Sequence, residues 1–285
     1  MRELRKPAWL KIKLETGENY PVVKETVEKY HLHTICSSGK CPNMSHCWNM
    51  GTATFMIMGD ICTRSCKFCA TKTGKPLPLD KDEPANIAKS IGLMKLKHCV
   101  ITSVDRDDLP DKGARHWAET VSLIKESSPE VVIEVLIPDY EQDLLDIVLS
   151  SNPDIVGHNL ETIERITPLV RSRATYAGSL RVLEHIAAKG YIAKTGIMVG
   201  LGETRDEVVK LMEDCRSAGC SMITIGQYLQ PTQNNIEVHE YIRPEVFEYY
   251  KETGKELGFK NVESAPLVRS SYMAEQSFVN SLRKG

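Results

Sequence analysis

Six of the nine cysteines lie between positions 36 and 69, in two unequal triplets: Cys36, Cys41 and Cys47, then Cys62, Cys66 and Cys69. The second triplet has C-x3-C-x2-C spacing, in Cys62-Thr63-Arg64-Ser65-Cys66-Lys67-Phe68-Cys69. Three thiolates on one short loop can hold three irons of a cubane cluster and leave the fourth without a protein ligand. An open corner points to chemistry, whereas four protein ligands point to electron storage. Zinc competes for soft thiolates, and His31, His33 or His46 could complete a site. Structural zinc, however, is typically held by two closely spaced pairs, which these triplets do not form. A disulfide framework fits poorly, because nine is odd and disulfides belong to oxidising compartments. Cys99, Cys215 and Cys220 fall in apolar or helical patterns and are expected in the core as small hydrophobes.

A chain of 285 residues can form one large domain or two ordinary ones, with ample surface to bury. Its 36 basic and 38 acidic residues leave a formal charge of −2, which argues against a nucleic-acid partner. The basic opening (Arg2, Arg5, Lys6, Lys11, Lys13) reads as solvated surface. No run approaches the ~20 apolar residues of a membrane span, and Met1-Arg2-Glu3-Leu4-Arg5-Lys6 is not an export segment. A soluble cytoplasmic protein is expected.

Strand-like and helical patterns alternate from residue 54 onward. The expected strands are Thr54–Met58, His98–Val104, Val131–Ile137, Ile155–Asn159, Ile192–Val199 and Met222–Gln227. The expected helices are Glu83–Leu96, Arg115–Lys125, Glu141–Leu149, Ala177–Lys189, Arg205–Ala218 and Pro244–Leu257, with a shorter one near Val22–Tyr30. Gly190 and Gly219 stand where helix C-termini should be. Continuous apolar strands alternating with helices mean a parallel sheet buried on both faces. Six such units fit an open partial barrel or a doubly wound sheet; in both, ligands sit at the carboxyl ends of the strands. The second cysteine triplet follows the first strand, at that edge.

Further polar motifs fall at the same edge. Thr102-Ser103-Val104-Asp105-Arg106-Asp107-Asp108-Leu109 could grip an amino group and hydroxyls, or could be a solvated acidic turn. His158-Asn159-Leu160-Glu161-Thr162 could bond a ribose through Asn159 and Glu161, although His158 alone reads as structural. Gly196-Ile197-Met198-Val199-Gly200-Leu201-Gly202-Glu203 permits close approach to a planar ligand but lacks the phosphate fingerprint. Gly226-Gln227-Tyr228-Leu229-Gln230-Pro231 would supply a polar and aromatic rim.

C-x3-C-x2-C after a first strand resembles the signature of the radical S-adenosylmethionine enzymes, and blocks from about residue 32 to 273 resemble the lipoyl synthases among them. Besides the motifs above, the likeness rests on Cys41-Pro42-Asn43, Cys47-Trp48-Asn49, the Gly51–Asp60 run and Arg269-Ser270-Ser271-Tyr272. The resemblance implies a partial (βα)6 TIM-type barrel at 51–260, an N-terminal extension at 1–50 and a C-terminal extension at 261–285. It implies a [4Fe-4S] cluster on Cys62, Cys66 and Cys69 that binds S-adenosylmethionine, and an auxiliary [4Fe-4S] cluster on Cys36, Cys41 and Cys47. The auxiliary cluster's fourth ligand would be Ser271, with Ser270 the second choice. Ser103, Asp105, Asn159, Glu161, Met198, Gly200 and Glu203 would contact S-adenosylmethionine.

The activity implied is that of a sulfurtransferase of lipoate biosynthesis, placing sulfur at carbons 6 and 8 of an octanoyl chain on a carrier-protein lysine. Implied partners are octanoylated lipoyl domains of 2-oxoacid dehydrogenases and the glycine-cleavage carrier protein. A ferredoxin- or flavodoxin-type electron donor and an iron–sulfur cluster carrier would also be needed. The nearest alternative is another sulfur-inserting or methylthio-transferring enzyme of the same class; an electron carrier or a zinc-stabilised interaction protein are the rivals outside it. Two departures from the family pattern stand out: Pro231-Thr232-Gln233-Asn234-Asn235 where a histidine is often found, and Lys112 in place of a glycine.

Overall fold

The computed structural model describes residues 5–12, 17, 19–50 and 52–271. Arg2, Lys13, Gly51, Tyr272 and the rest of the expected C-terminal extension lie outside the described residues. The described residues fall into two compact units. One is drawn from Leu14–Ser65 and Ala70–Ile155, the other from Met1–Lys13, Cys66–Cys69 and Val156–Gly285.

The first unit runs α1 (Asn19–Lys29), β1 (His33–Thr34), α2 (Ile35–Ser38), α3 (Met44–Asn49), β2 (Thr54–Ile57), β3 (Ile61–Cys62), β4 (Lys72–Thr73), α4 (Glu83–Leu93), β5 (His98–Ser103), α5 (Ala114–Ser127), β6 (Val132–Leu136) and α6 (Gln142–Leu149). Its strands pair in the order β1-β2-β5-β6. β2, β5 and β6 are parallel, with Phe55 opposite Ile101 and Ile101 opposite Val135. Every residue of β2 is buried, as are all of β5 but Ser103. Such unbroken apolar runs need cover on both faces. α5 supplies part of it: Ala114, Trp117, Val121 and Ile124 recur at helical spacing and are all fully buried.

The second unit begins within β7 (Ile155–Gly157) and continues through α7 (Thr167–Val170), α8 (Tyr176–Ala188), β8 (Ile192–Val199), α9 (Arg205–Ser217), β9 (Met222–Gln227), α10 (Pro244–Glu256) and β10 (Asn261–Ser264). Its strands pair in the order β7-β8-β9-β10, and β8, β9 and β10 are parallel. α9 starts on a capping box in which Thr204 and Glu207 satisfy each other's backbone amides. α8 and α9 are followed by Gly190 and Gly219 at φ 85° and 81°, the left-handed turn expected of them.

All six expected strands are present within a residue or two of their expected ends, and the α/β class holds. Cys99, Cys215 and Cys220 are fully buried, as expected. β10 is an addition: Asn261-Val262-Glu263-Ser264 carries no apolar run and forms by pairing with β9 from Met222 to Ile225.

One buried polar contact fixes the chain just before the second cysteine triplet. Met58 follows β2 in a left-handed conformation, φ 68°. Its N–H donates to Glu83 Oε2 at 2.7 Å, and the same oxygen meets His116 Nε2 at 2.6 Å. Arg106 Nη1 donates to the Met58 carbonyl at 3.4 Å. Glu83→Ala strands a buried N–H and should cost about 1–3 kcal/mol. Urea denaturation of the metal-free chain measures this; a loss below about 0.5 kcal/mol would show that the bond does not hold the turn.

Candidate active site

The first unit gathers the first cysteine triplet. Cys36 on α2 and Cys47 on α3 lie with Cys41 in a cluster around Val23, Trp48 and Ala53, flanked by Tyr20, Val27 and Met44. The Cys41 N–H donates to the Cys36 carbonyl at 3.0 Å, and Thr52 donates to the Cys47 carbonyl through its N–H and its hydroxyl, each at 2.9 Å. Burial pushes the Cys47 thiol up to about 12, and the nearby sulfurs of Cys36 and Cys41 add to the shift. Sequence periodicity did not reveal α3; its six residues hold their shape by packing Trp48 against this cluster.

Cys62, at the end of β3, is buried. Its sulfur accepts the N–H of Arg64 at 3.4 Å and of Asp105 at 3.3 Å, and its thiol donates to Asp105 Oδ2 at 3.5 Å. Burial, followed by the Asp105 carboxyl, pushes this thiol up to about 12. Burial likewise lifts the Asp105 carboxyl, although Arg64 opposes it. Arg64 grips Asp107 through Nε at 2.8 Å and Nη2 at 2.9 Å, bonds Asp139 through Nη1 and reaches Asp105 at 3.4 Å.

The chain passes from the first unit to the second between Ser65 and Cys66. There the Cys69 N–H donates to the Cys66 carbonyl at 3.1 Å, and the Cys66 sulfur lies 3.6 Å from Ser172 Oγ. Asn235 Nδ2 donates to the carbonyls of Lys67 at 3.1 Å and Cys69 at 2.8 Å. Among the described residues, no group of three or more His, Cys, Asp or Glu side chains could hold a metal ion. Single-ion sites need that convergence, whereas a cubane places its thiolates on separate irons.

The remaining predicted residues stand at strand ends. Ser103 closes β5, and its buried hydroxyl has no hydrogen-bond partner among the described residues. In the second unit, Asn159 Nδ2 donates to Glu161 Oε1 at 3.2 Å and to Ser270 Oγ at 2.9 Å. Glu161 sits at φ 68°, and burial raises its carboxyl despite Arg171. Met198 donates its N–H to the Glu161 carbonyl at 2.8 Å. Glu203 folds back on the amides of Gly200 and Leu201, so its carboxylate serves its own loop. A Cβ on Gly200 would lie 2.1 Å from Gln227 Nε2 and 2.5 Å from the Glu240 carbonyl. Gln227 is fully buried and holds the Glu240 carbonyl at 2.9 Å and the Ile242 N–H at 2.8 Å, a scaffold role rather than an open rim. Ser271, half-buried, follows Ser270 at the end of the described chain.

Sequence reasoning overlooked Arg64, Thr63, Ser172 and Asn235. Arg64 and Thr63 lie inside a motif defined by its cysteines, and Asn235 lies in a stretch that departs from the family pattern. No spacing rule flags a side chain that serves a backbone carbonyl 166 residues away.

Residues 56–215 match the Radical SAM superfamily, which sets the class. The lipoyl synthase of Parabacteroides distasonis is 62% identical over 277 residues, covering 96% of this chain and 99% of that one. The lipoyl synthase of Treponema denticola is 57% identical, over 95% of this chain and 94% of that one. Among solved structures, methylornithine synthase shares the fold with a TM-score of 0.57, covering 87% and 83% of the two chains at 11% identity. Streptococcus suis SuiB bound to S-adenosylmethionine gives 0.61, over 79% of this chain and 54% of that one, at 9% identity. The chain belongs to the lipoyl synthase family of the Radical SAM superfamily.

The donor set suits iron–sulfur clusters: two sets of soft thiolates, one gathered and half-buried, the other carrying a sulfur that already accepts two amides. The raised thiols make a prediction for the metal-free chain. At pH 8 a thiol at about 12 is ionised in about one molecule in ten thousand, against about a quarter for an ordinary cysteine. Cys47 and Cys62 should therefore be alkylated by iodoacetamide at least about a hundredfold more slowly than a free cysteine peptide, as read by peptide mass spectrometry. Equal rates would show that these sulfurs are not held as described.

Proposed function

We propose that this protein inserts two sulfur atoms, at carbons 6 and 8, into an octanoyl chain amide-linked to a lysine of a lipoyl carrier protein. The near-complete match at 62% identity to a lipoyl synthase carries this reading, and both cysteine triplets fall inside it. In this reading Cys62, Cys66 and Cys69 hold the cluster that binds S-adenosylmethionine, while Cys36, Cys41, Cys47 and Ser271 hold the auxiliary one. Bound there, the clusters and S-adenosylmethionine supply hydrogen abstraction from an unactivated carbon, and the sulfur that replaces it.

The side chains have a different task. A mid-chain methylene has no acidic proton, so no carboxylate or imidazole can activate it by proton transfer; the protein orients and shields instead. Ser103 offers an unused buried hydroxyl to the amino or carboxylate group of S-adenosylmethionine, beside Asp105. Asn159 and Glu161 bond each other, which leaves Asn159 Oδ1 and the second Glu161 oxygen for a ribose. Met198 and Gly200 shape the adenine site, and Glu203 braces the Gly200 turn from behind. Ser271 is a harder donor than thiolate and the easiest ligand for iron to give up.

Residues 1–50, 51–260 and 261–285 serve as auxiliary-cluster extension, barrel and serine-bearing tail. Lipoyl domains of 2-oxoacid dehydrogenases and the glycine-cleavage carrier are the substrates, served by a ferredoxin- or flavodoxin-type donor and a cluster carrier. Among the described residues no helix is long and apolar enough to cross a membrane, in keeping with work in the cytoplasm.

Anaerobic reconstitution should give about eight irons per chain, and an octanoyl-lysyl peptide should gain two sulfurs by mass spectrometry. Cys36→Ala should still cleave S-adenosylmethionine yet insert no sulfur; normal insertion would remove the auxiliary cysteines from the reaction. Ser271→Cys should load iron but form little product, because a thiolate does not let go. Full product formation by that variant would refute the assignment of Ser271.

A further inference from the structure

Arg64 stands two residues after Cys62, on the loop that carries the second cysteine triplet, and its side chain is 7% exposed. A guanidinium that serves only to fill space could be replaced by apolar packing at little cost, since buried ion pairs seldom repay their desolvation. Here one cation meets three carboxylates with the geometry of a fork: two parallel bonds to Asp107, one to Asp139 and a contact with Asp105. Thr63 extends the clamp. Its N–H donates to the Asp105 carbonyl at 3.1 Å and its hydroxyl donates to the same carbonyl at 3.0 Å, while the Asp107 N–H donates back to that hydroxyl at 3.1 Å. The Arg64 carbonyl in turn accepts from Thr73 Oγ1 on β4 at 2.9 Å.

The product of this network is the position of two backbone amides. The N–H groups of Arg64 and Asp105 approach the Cys62 sulfur from two segments 41 residues apart, at 3.4 and 3.3 Å. Neither segment alone would bring both there. Arg64 Nη1, 3.4 Å from Asp105 Oδ1, also offsets a carboxylate whose other oxygen lies 3.5 Å from that sulfur. Donors on a ligating sulfur stabilise the extra electron of a reduced cluster, and the residues that orient them tune its potential.

We propose that Arg64 is a positioning residue: it locks the Cys62 loop to the turn after β5, so that two amides stay on the Cys62 sulfur and ease reduction of the cluster held there. This rests on the reading that Cys62 is a cluster ligand, and it gives the Asp105–Asp107 motif a structural partner in addition to any ligand.

The test is the midpoint potential of the reconstituted full-length enzyme, followed by electron paramagnetic resonance with and without S-adenosylmethionine. The signal that changes on adding S-adenosylmethionine belongs to the cluster of the second triplet. Arg64→Lys keeps the charge and loses the fork, so a shift reports geometry rather than net charge. The expected result is a roughly tenfold weaker one-electron reduction, a fall of about 59 mV, with iron content unchanged. Thr63→Val removes the hydroxyl without altering charge and should shift the same way, which decides the matter if Arg64→Lys does not load iron. Unchanged potentials in the variants that load, with only thermal stability lowered, would overturn the proposal and leave Arg64 a structural residue. If the unsubstituted enzyme shows no signal that responds to S-adenosylmethionine, the cofactor assignment itself falls and the inference with it.

Discussion

Thiols must lose their protons to hold iron, yet burial and mutual repulsion keep the protons on. Cys47 feels both the loss of water and the sulfurs of Cys36 and Cys41; Cys62 feels burial and a neighbouring carboxyl. The energy that opposes these charges in the bare chain is recovered only when a cation arrives, so metal binding and local order are coupled. Much of the first unit serves this conflict. α2 and α3 are too short to persist as isolated helices, and they hold three cysteines against an aromatic and aliphatic cluster. Around Cys62 the chain supplies backbone donors in place of solvent.

The fold and the cysteine chemistry show differently in the sequence. Strands such as Thr54–Ile57 and Met222–Gln227 are continuous apolar runs, and runs of that kind have few alternatives to a parallel sheet. The longer helices announce themselves through spaced apolar residues, and α8 and α9 also through the glycines that end them. β10 does not, because Asn261-Val262-Glu263-Ser264 is a strand only by virtue of its neighbour β9. The cysteine triplets are visible as spacing, since ligands on one loop must be close in sequence.

Partners that meet across long separations leave no such trace. Asp105, Asp107 and Asp108 read as a possible ligand grip because nothing in the sequence links the first two to Arg64, the partner that packing gives them. Glu203, expected near the adenine, also bonds the amides of the Gly200 turn, and Gln227, expected on a polar rim, is buried and bonds the Glu240–Ile242 backbone. A polar residue at a strand's carboxyl end can serve either purpose, and only the hydrogen-bond partner tells which.

The tail adds a matter of timing. A Cβ on Gly226 would stand 2.1 Å from the Val268 carbonyl, and one on Gly196 would stand 2.9 Å from Ser270 Oγ. The notch that receives Val268–Ser270 is thus cut by two missing side chains in strands made well before it is filled. During synthesis the β8–β9 ends emerge from the ribosome first and wait with that notch vacant. A polypeptide released short of Ser270 would own every strand seen among the described residues and both cysteine triplets, and still lack the plug that fills this corner.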